Sequence, residues 1–427
     1  MTGFKQTEIG IIPQDWTVGT LASINEEKKE NINPSKFPDE VFEYYSIPAY
    51  QNGRVQVLEK GANIFSQKVL LKDGAVLFGK LNPRVEKVWK VSSSSRHRKI
   101  GSTEWLVLFP KKDVIAPDYL YYVQWSGYVM LKAKGLVAGS TPSRQRVDPS
   151  AFYKLQIPIP SLSEQSSIAY ILSKVQSAIE TQEKIIEKTT GLKKTLMQKL
   201  FTEGLRGEKQ KETEIGRVPK SWEIVKFAAA VSYIDYGFSQ AIPKTPIKDG
   251  IKIVSTADIS KDGKLLYYKI RNITAPAKTI SRLTLKDGDM LFNWRNTAEL
   301  IGKTAIFKSQ PQPYIFASFI LRIRCDEKKS HNLFLCYLMN HFREKGVFVK
   351  LSRRAVNQAN YNKNEISVLP IPLPTYQEQV EIAEALSTVE RKIDSSKSIK
   401  AKYESLFASA LHHLMTGQIR VKDVRFS

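Results

Sequence analysis

Cysteine is nearly missing, with two residues in a chain of 427. Two thiols cannot build the disulfide framework of a small secreted protein, so a reducing compartment, the cytoplasm, is the expected location. Long apolar runs are missing as well. No stretch approaches the roughly 18 residues that cross a bilayer, and the opening MTGFKQTEIG lacks the apolar core of a signal peptide, so no membrane association is expected. Acids are scarce relative to bases: 42 Asp and Glu against 65 Lys and Arg leave a formal charge of +23. That excess exceeds what solubility requires and predicts a polyanionic partner, nucleic acid first. What is present is an apolar share of 42% with 10% aromatics, enough for packed cores, in a length that predicts two or three compact units.

The organisation follows from repetition. TEIGIIPQDW begins at Thr7 and TEIGRVPKSW at Thr213, 206 residues later. LKDGAVLF from Leu71 returns as LKDGDMLF from Leu285, and IPIPSLSEQSSIA (157–169) returns as IPLPTYQEQVEIA (371–383), both at a separation of 214. The chain is a tandem duplication whose second copy carries about eight extra residues between Trp222 and Leu285, which predicts a surface loop there.

Each copy reads as a mixed globular part followed by one long helix. AVLFG and EWLVLF are short apolar runs with strand character, and PDYLYYVQW opens like a helix with proline in its first turn. DMLFNW, SFILRI and NLFLCYLMNHF answer them in the second copy. Ser161 with Glu164, and Thr375 with Glu378, predict capping boxes, each hydroxyl taking a free backbone amide and each carboxylate reaching back to the cap. Beyond them apolar residues recur at heptad spacing: Ile168, Leu172, Val175, Ile179, Ile186 and Leu196, then Ile382, Leu386, Val389, Ile393, Tyr403 and Ala410. The stripes run to Gly204 and Gly417, predicting helices of about 40 residues, roughly 60 Å long. A lone helix of that length would leave its seam wet, so each copy predicts the other's helix as its mate, with polar Gln182 and Ser396 at matching seam positions. Packing of each helix on its own globular part is the alternative.

Two mixed units each followed by a long helix, the TEIGxxPxxW openings and the IPxPxxxEQ leads into the helices resemble the specificity subunit of type I restriction-modification systems, from Thr7 to Arg420. The resemblance implies an α+β fold: target-recognition domain 1 over 1–160, spacer helix 1 over 161–206, target-recognition domain 2 over 207–374, and spacer helix 2 with a C-terminal tail over 375–427, the helices pairing as an antiparallel coiled coil. It implies a subunit without catalytic residues or a cofactor of its own, which reads double-stranded DNA and docks two methyltransferase subunits, with restriction subunits joining them. S-adenosylmethionine for adenine methylation and ATP-Mg for translocation and cleavage would belong to those partners.

Where the copies diverge, a reader would touch bases. SSSSRHRKIGS (92–102) aligns with IFKSQPQPYIF, and its Ser94, Arg96, Arg98 and Lys99 suit phosphates and base edges. A solvated loop has the same composition. The second candidate surface is GSTPSRQRV, with Arg144, Gln145 and Arg146, and its counterpart RRAVNQANYN, with Arg353, Arg354, Asn357, Gln358 and Asn360. Its alternative role is to orient each domain on its helix. The third follows the shared Leu-Phe: Lys80, Asn82 and Arg84 in one copy, and Asn293, Trp294, Arg295 and Asn296 in the other. Trp89 and Trp294 fit a core as well as a stacking platform, and core is the commoner fate.

Catalytic patterns fail. Gly302-Lys303-Thr304 lacks the glycine a phosphate loop needs five residues earlier, where Thr297 stands. Cys325, His331, Cys336 and His341 fit no usual zinc spacing, so no metal is expected. Asn82-Pro83 is followed by Arg84 rather than the proline and aromatic of an adenine methyltransferase motif. A self-contained methyltransferase or nuclease with unfamiliar motifs, or the specificity subunit of a methyltransferase-only complex, remain the alternatives.

Overall fold

The computed structural model describes residues 3–26, 29–93, 95–139, 141, 144–239, 247–351, 353–355 and 358–422. They form two compact units, one from residues 1–183 with 397–427 and the other from 184–396.

In the first unit Val76–Gly79 lies between Trp105–Leu108 and Val88–Lys90 in an antiparallel sheet. Both strands of the Trp105–Leu108 and Val76–Gly79 pair are buried along their whole length, which is why they read as continuous apolar runs. A five-stranded sheet sits beside it, with Val41–Tyr45 parallel to Arg98–Ser102. The helix Pro117–Trp125 starts on its proline as expected, and Tyr119, Leu120 and Val123 join Trp16, Phe78 and Phe152 in the core. A second cluster packs Tyr45, Tyr50, Trp89 and Trp105, so Trp89 is core.

The second unit repeats this plan. Met290–Asn293 pairs with Ile320–Cys325 and Thr304–Ile306, Ile251–Val254 runs parallel to Tyr314–Phe316, and the helix is Asn332–Glu344. One ladder is longer among the described residues: Val231–Tyr236 pairs along Ile320–Cys325, where the first unit shows the bridge Asn25–Pro110. Part of the extra length is a surface turn, with Lys261 and Asp262 exposed, that is tied back to the unit. Ile259 bridges Leu265, Arg343 donates to the Lys261 carbonyl at 2.8 Å, and Lys264 pairs with Asp394 of the long helix. Lys303 is likewise structural: buried, it donates to the carbonyls of Thr256 and Ile259 at 2.7 and 2.5 Å.

The long helices are Leu162–Glu203, 42 residues, and Tyr376–Met415, 40 residues. Every residue of the two predicted stripes is buried or half-buried. In the first unit the beginning of the first helix (Ile168, Ala169, Leu172) shares a core with the end of the second (Phe407, Ala410, Leu414, Met415). The second unit packs Met197, Leu200 and Phe201 with Ile382, Ala383 and Leu386. Beginning meets end in both, an antiparallel pairing, and the helices also pack on the globular parts. Gln182 is half-buried; Ser396 is 1% exposed and its hydroxyl has no partner among the described residues.

The helix starts differ from a full capping box. The hydroxyl half is present, Glu164 and Glu378 donating their amides to Ser161 and Thr375 at 3.3 and 3.4 Å. Both carboxylates are used elsewhere. Glu164, 1% exposed, accepts from Trp16 Nε1 at 2.9 Å and from Arg420 at 2.7 and 2.8 Å. Glu378 accepts from the Leu205 amide at 3.4 Å. The glutamines that follow do the same work in both copies. Gln165 takes the Ala116 amide and donates to the Val114 and Pro160 carbonyls. Gln379 takes the His331 amide and donates to those of Lys329 and Pro374. One buried amide thus satisfies the free backbone groups before each domain helix and ties that helix to the long one.

Candidate nucleic-acid interface

Two of the three candidate segments meet in each unit, through the same backbone pairing. In the first, Leu81 bridges Arg146, Val147 donates to the Lys80 carbonyl at 3.0 Å, and Asn82 donates to that of Gln145 at 2.8 Å. In the second, Arg295 pairs with Asn360 and Tyr361 donates to the Trp294 carbonyl at 2.8 Å, 214 residues on at every position. Arg353–Ala355 continues that ladder beside Gln358–Asn360. The duplication therefore keeps the frame and changes what it presents.

In the first unit the frame carries charge. Arg146 pairs with Glu104 through Nε and Nη2 at 3.2–3.3 Å. Lys80, half-buried, donates to the Thr103 carbonyl at 3.2 Å, while Arg84 and Arg144 are exposed and Gln145 is half-buried. Asn82 sits at φ +49°, a left-handed turn that asparagine tolerates better than most residues, so the turn itself accounts for its identity. Lys29 belongs to this cluster although nothing local pointed to it. Partial desolvation and then repulsion from Lys80 lower its pKa, against the pull of Glu104.

In the second unit the same frame carries aromatic rings. Trp294 is half-buried, its Nε1 donating to the Ser318 carbonyl at 2.7 Å, with Tyr236 and Phe319 at ring-centre distances of 5.4 and 6.1 Å. The Arg295 guanidinium lies over Phe319, 4.9 Å from its centre. Phe319 and Tyr236 are 43% and 38% exposed, leaving ring surface at the edge. Asn296 accepts from the Thr297 amide, and Asn360 Oδ1 has no partner among the described residues.

Other candidates move. Arg98 lies in the strand Arg98–Ser102, its guanidinium held by Glu40 at 2.5 and 2.6 Å and stacked over Phe37 and Phe42. Its neighbour Lys99 reaches the Ser95 carbonyl and Asp73. Both side chains are held by neighbours in their own unit, and Arg98, like Arg96, is exposed. Asn293 is wholly buried, its amide donating to the Leu300 carbonyl. Ser94 and Asn357 lie outside the described residues, and Arg353, Arg354 and Gln358 are described by backbone alone. Among the described residues no group of His, Cys, Asp and Glu is placed to hold a metal ion, and no helix is long and apolar enough to cross a membrane. Cys336 is buried on the domain helix, and His341 rests against Phe201.

A family model for the type I restriction modification DNA specificity domain matches residues 13–189 and again 246–405. The type I restriction enzyme MjaVIII specificity subunit of Methanocaldococcus jannaschii is 26% identical over 439 residues, 99% of this chain and 97% of that one. Two solved structures share the fold. One is the S subunit of the type I restriction-modification system from M. genitalium, with TM-score 0.59, 12% identity, and 94% and 96% of the two chains covered. The other comes from work on complex assembly and conformational transition of a type I system, with TM-score 0.57, 18% identity and coverage of 96% and 99%. With both halves matched and the duplicated frame accounted for, the chain belongs to the type I restriction-modification DNA specificity family, as a non-catalytic specificity subunit.

Proposed function

We propose that this subunit reads an asymmetric, bipartite target in double-stranded DNA, one half with each unit, and docks two methyltransferase subunits together with restriction subunits. The observation that carries the reading is the repeated frame at Leu81–Arg146 and Arg295–Asn360, which offers an ion cluster in one unit and an arginine set among aromatic rings in the other. A homodimer of one reader sees a palindrome; two unlike readers in one chain see unlike half-sites. S-adenosylmethionine and ATP-Mg belong to the partners in this reading, and purified chain given labelled S-adenosylmethionine and duplex transfers no methyl group. The excess of +23 adds phosphate contacts, each lowering the slope of log affinity against log salt by about 0.9. The test replaces residues 1–160 with the corresponding part of a relative and sequences the methylated motif of genomic DNA. One half-site changes. A change in both halves, or in neither, rejects modular reading.

A further inference from the structure

Glu104 is an acid where a DNA-facing surface has least use for one. Its side chain is 26% exposed among Lys29, Lys80 and Arg146, and a carboxylate there repels the phosphates the cations would attract. It is nevertheless firmly placed. The Glu104 amide donates to Ser102 Oγ at 3.2 Å, its carbonyl accepts from the Lys80 amide at 2.9 Å, and both carboxylate oxygens lie 3.2–3.3 Å from Arg146. The frame does not demand it: the residue 214 positions on is Ser318, which contributes a carbonyl to Trp294. An acid present in one reader and absent from its duplicate marks a difference in what the two recognise.

Building on the DNA-reading function above, we infer that Glu104 is a specificity-determining residue of the first reader and that, with Arg146, it selects a C·G pair. A carboxylate only accepts hydrogen bonds, and a guanidinium only donates them in a fork. In the major groove a C·G pair shows two adjacent acceptors, guanine N7 and O6, followed by one donor, the cytosine N4 amino group. Arg146 takes the acceptors and Glu104 the donor, side by side as they already stand. An A·T pair places its donor between two acceptors, so the fork meets an amino group and the match is lost.

The test uses the full chain expressed with its methyltransferase subunits, with E104Q, E104A, R146K and, as a control in the neighbouring sheet, E40Q. Genomic methylation motifs are sequenced, and binding of the purified complexes is competed with duplexes carrying each base pair at each position of the half-site assigned to residues 1–160. E104Q, E104A and R146K relax one and the same C·G position, with a roughly ten- to hundredfold loss of discrimination there and an unaltered second half-site, while E40Q keeps the full motif. The inference is overturned if the Glu104 variants keep every preference, or if they lose methylation and affinity with discrimination unchanged, as a purely structural ion pair would. Failure of the DNA-reading function itself looks different: exchange of residues 1–160 then leaves both half-sites untouched.

Discussion

The two units place the same tryptophan, glutamate and arginine at the root of the long helices and use them differently. In the first, Trp16 donates to Glu164, and Arg420 clamps that buried carboxylate while holding Asp15 at 2.9 and 3.0 Å. Burial alone would raise the Glu164 pKa, but Arg420 and Trp16 outweigh it and hold the carboxyl below its usual range. In the second unit Ser221 stands where Asp15 did, and Arg206, 214 residues before Arg420, is exposed. Trp222 Nε1 has no partner among the described residues. The glycine after each helix follows suit. Gly417 has φ +68° and leaves only 2.2 Å between an added Cβ and Pro13, whereas Gly204 has φ +70° and leaves 3.4 Å to Pro219. A duplicated element keeps its apolar packing and its backbone; its buried ion network survives only where each member keeps a partner.

The comparison sharpens most at Arg420. R420A strands a buried carboxylate and costs about 3–5 kcal/mol, read as faster hydrogen exchange throughout the first unit, whereas R206A stays within about 0.5 kcal/mol. Equal costs would mean the clamp is not specific to one side. Acid separates the units next. Burial, aided by Lys345, lowers His341 from its ordinary 6.5 to about 4. A group depressed by folding stabilises above its unfolded value, so the second unit loses on the order of 3 kcal/mol as pH falls from 6.5 towards 4. The first unit's histidines, His97, His412 and His413, are exposed or half-buried, and Glu164 withdraws its contribution only as pH drops below 4.5. Exchange followed against pH should show the second unit loosening first, and H341L should shrink that step to what His331, whose pKa burial also lowers, contributes. Trp16→Phe and Trp222→Phe delete similar ring area, so their difference isolates one charged hydrogen bond; denaturant titration should show the former costing about 1.5–3 kcal/mol more. The smallest effect is at Lys264, whose half-exposed pair with Asp394 is worth less than about 1 kcal/mol. A larger loss in K264A would show that the inserted turn holds the second reader on its helix.

The repeats made the duplication, the helices and most core strands legible before any coordinates, because those depend on periodicity and local caps. Partners distant in sequence were not legible. Glu164 looks like a cap residue beside Ser161, but the groups it serves lie 148 and 256 residues away. Arg98 reads as a loop cation until Glu40, 58 residues earlier, is set beside it by a parallel strand pair. Lys29 sits in the charged run EEKKEN, which has the composition of a solvated turn and carries no trace of Lys80 or Glu104. Asn293 could have been caught, since Met290, Leu291 and Phe292 before it form an all-buried run, and a central strand buries its next residue too.

The closing segment Leu414, Met415, Arg420 and Val421 belongs to the core around Trp16 and Glu164, although the whole second unit is encoded between them. A ribosome making about 5–20 residues per second would take on the order of ten to forty seconds to cross that interval. Meanwhile the first unit has its sheets and the start of its helix but lacks the residues that cover Trp16. The first unit is therefore completed only after the second has been made, and until Leu414, Met415 and Val421 emerge its core stays open. A message broken before Lys397 would release a chain with a complete second unit and a permanently unsealed first.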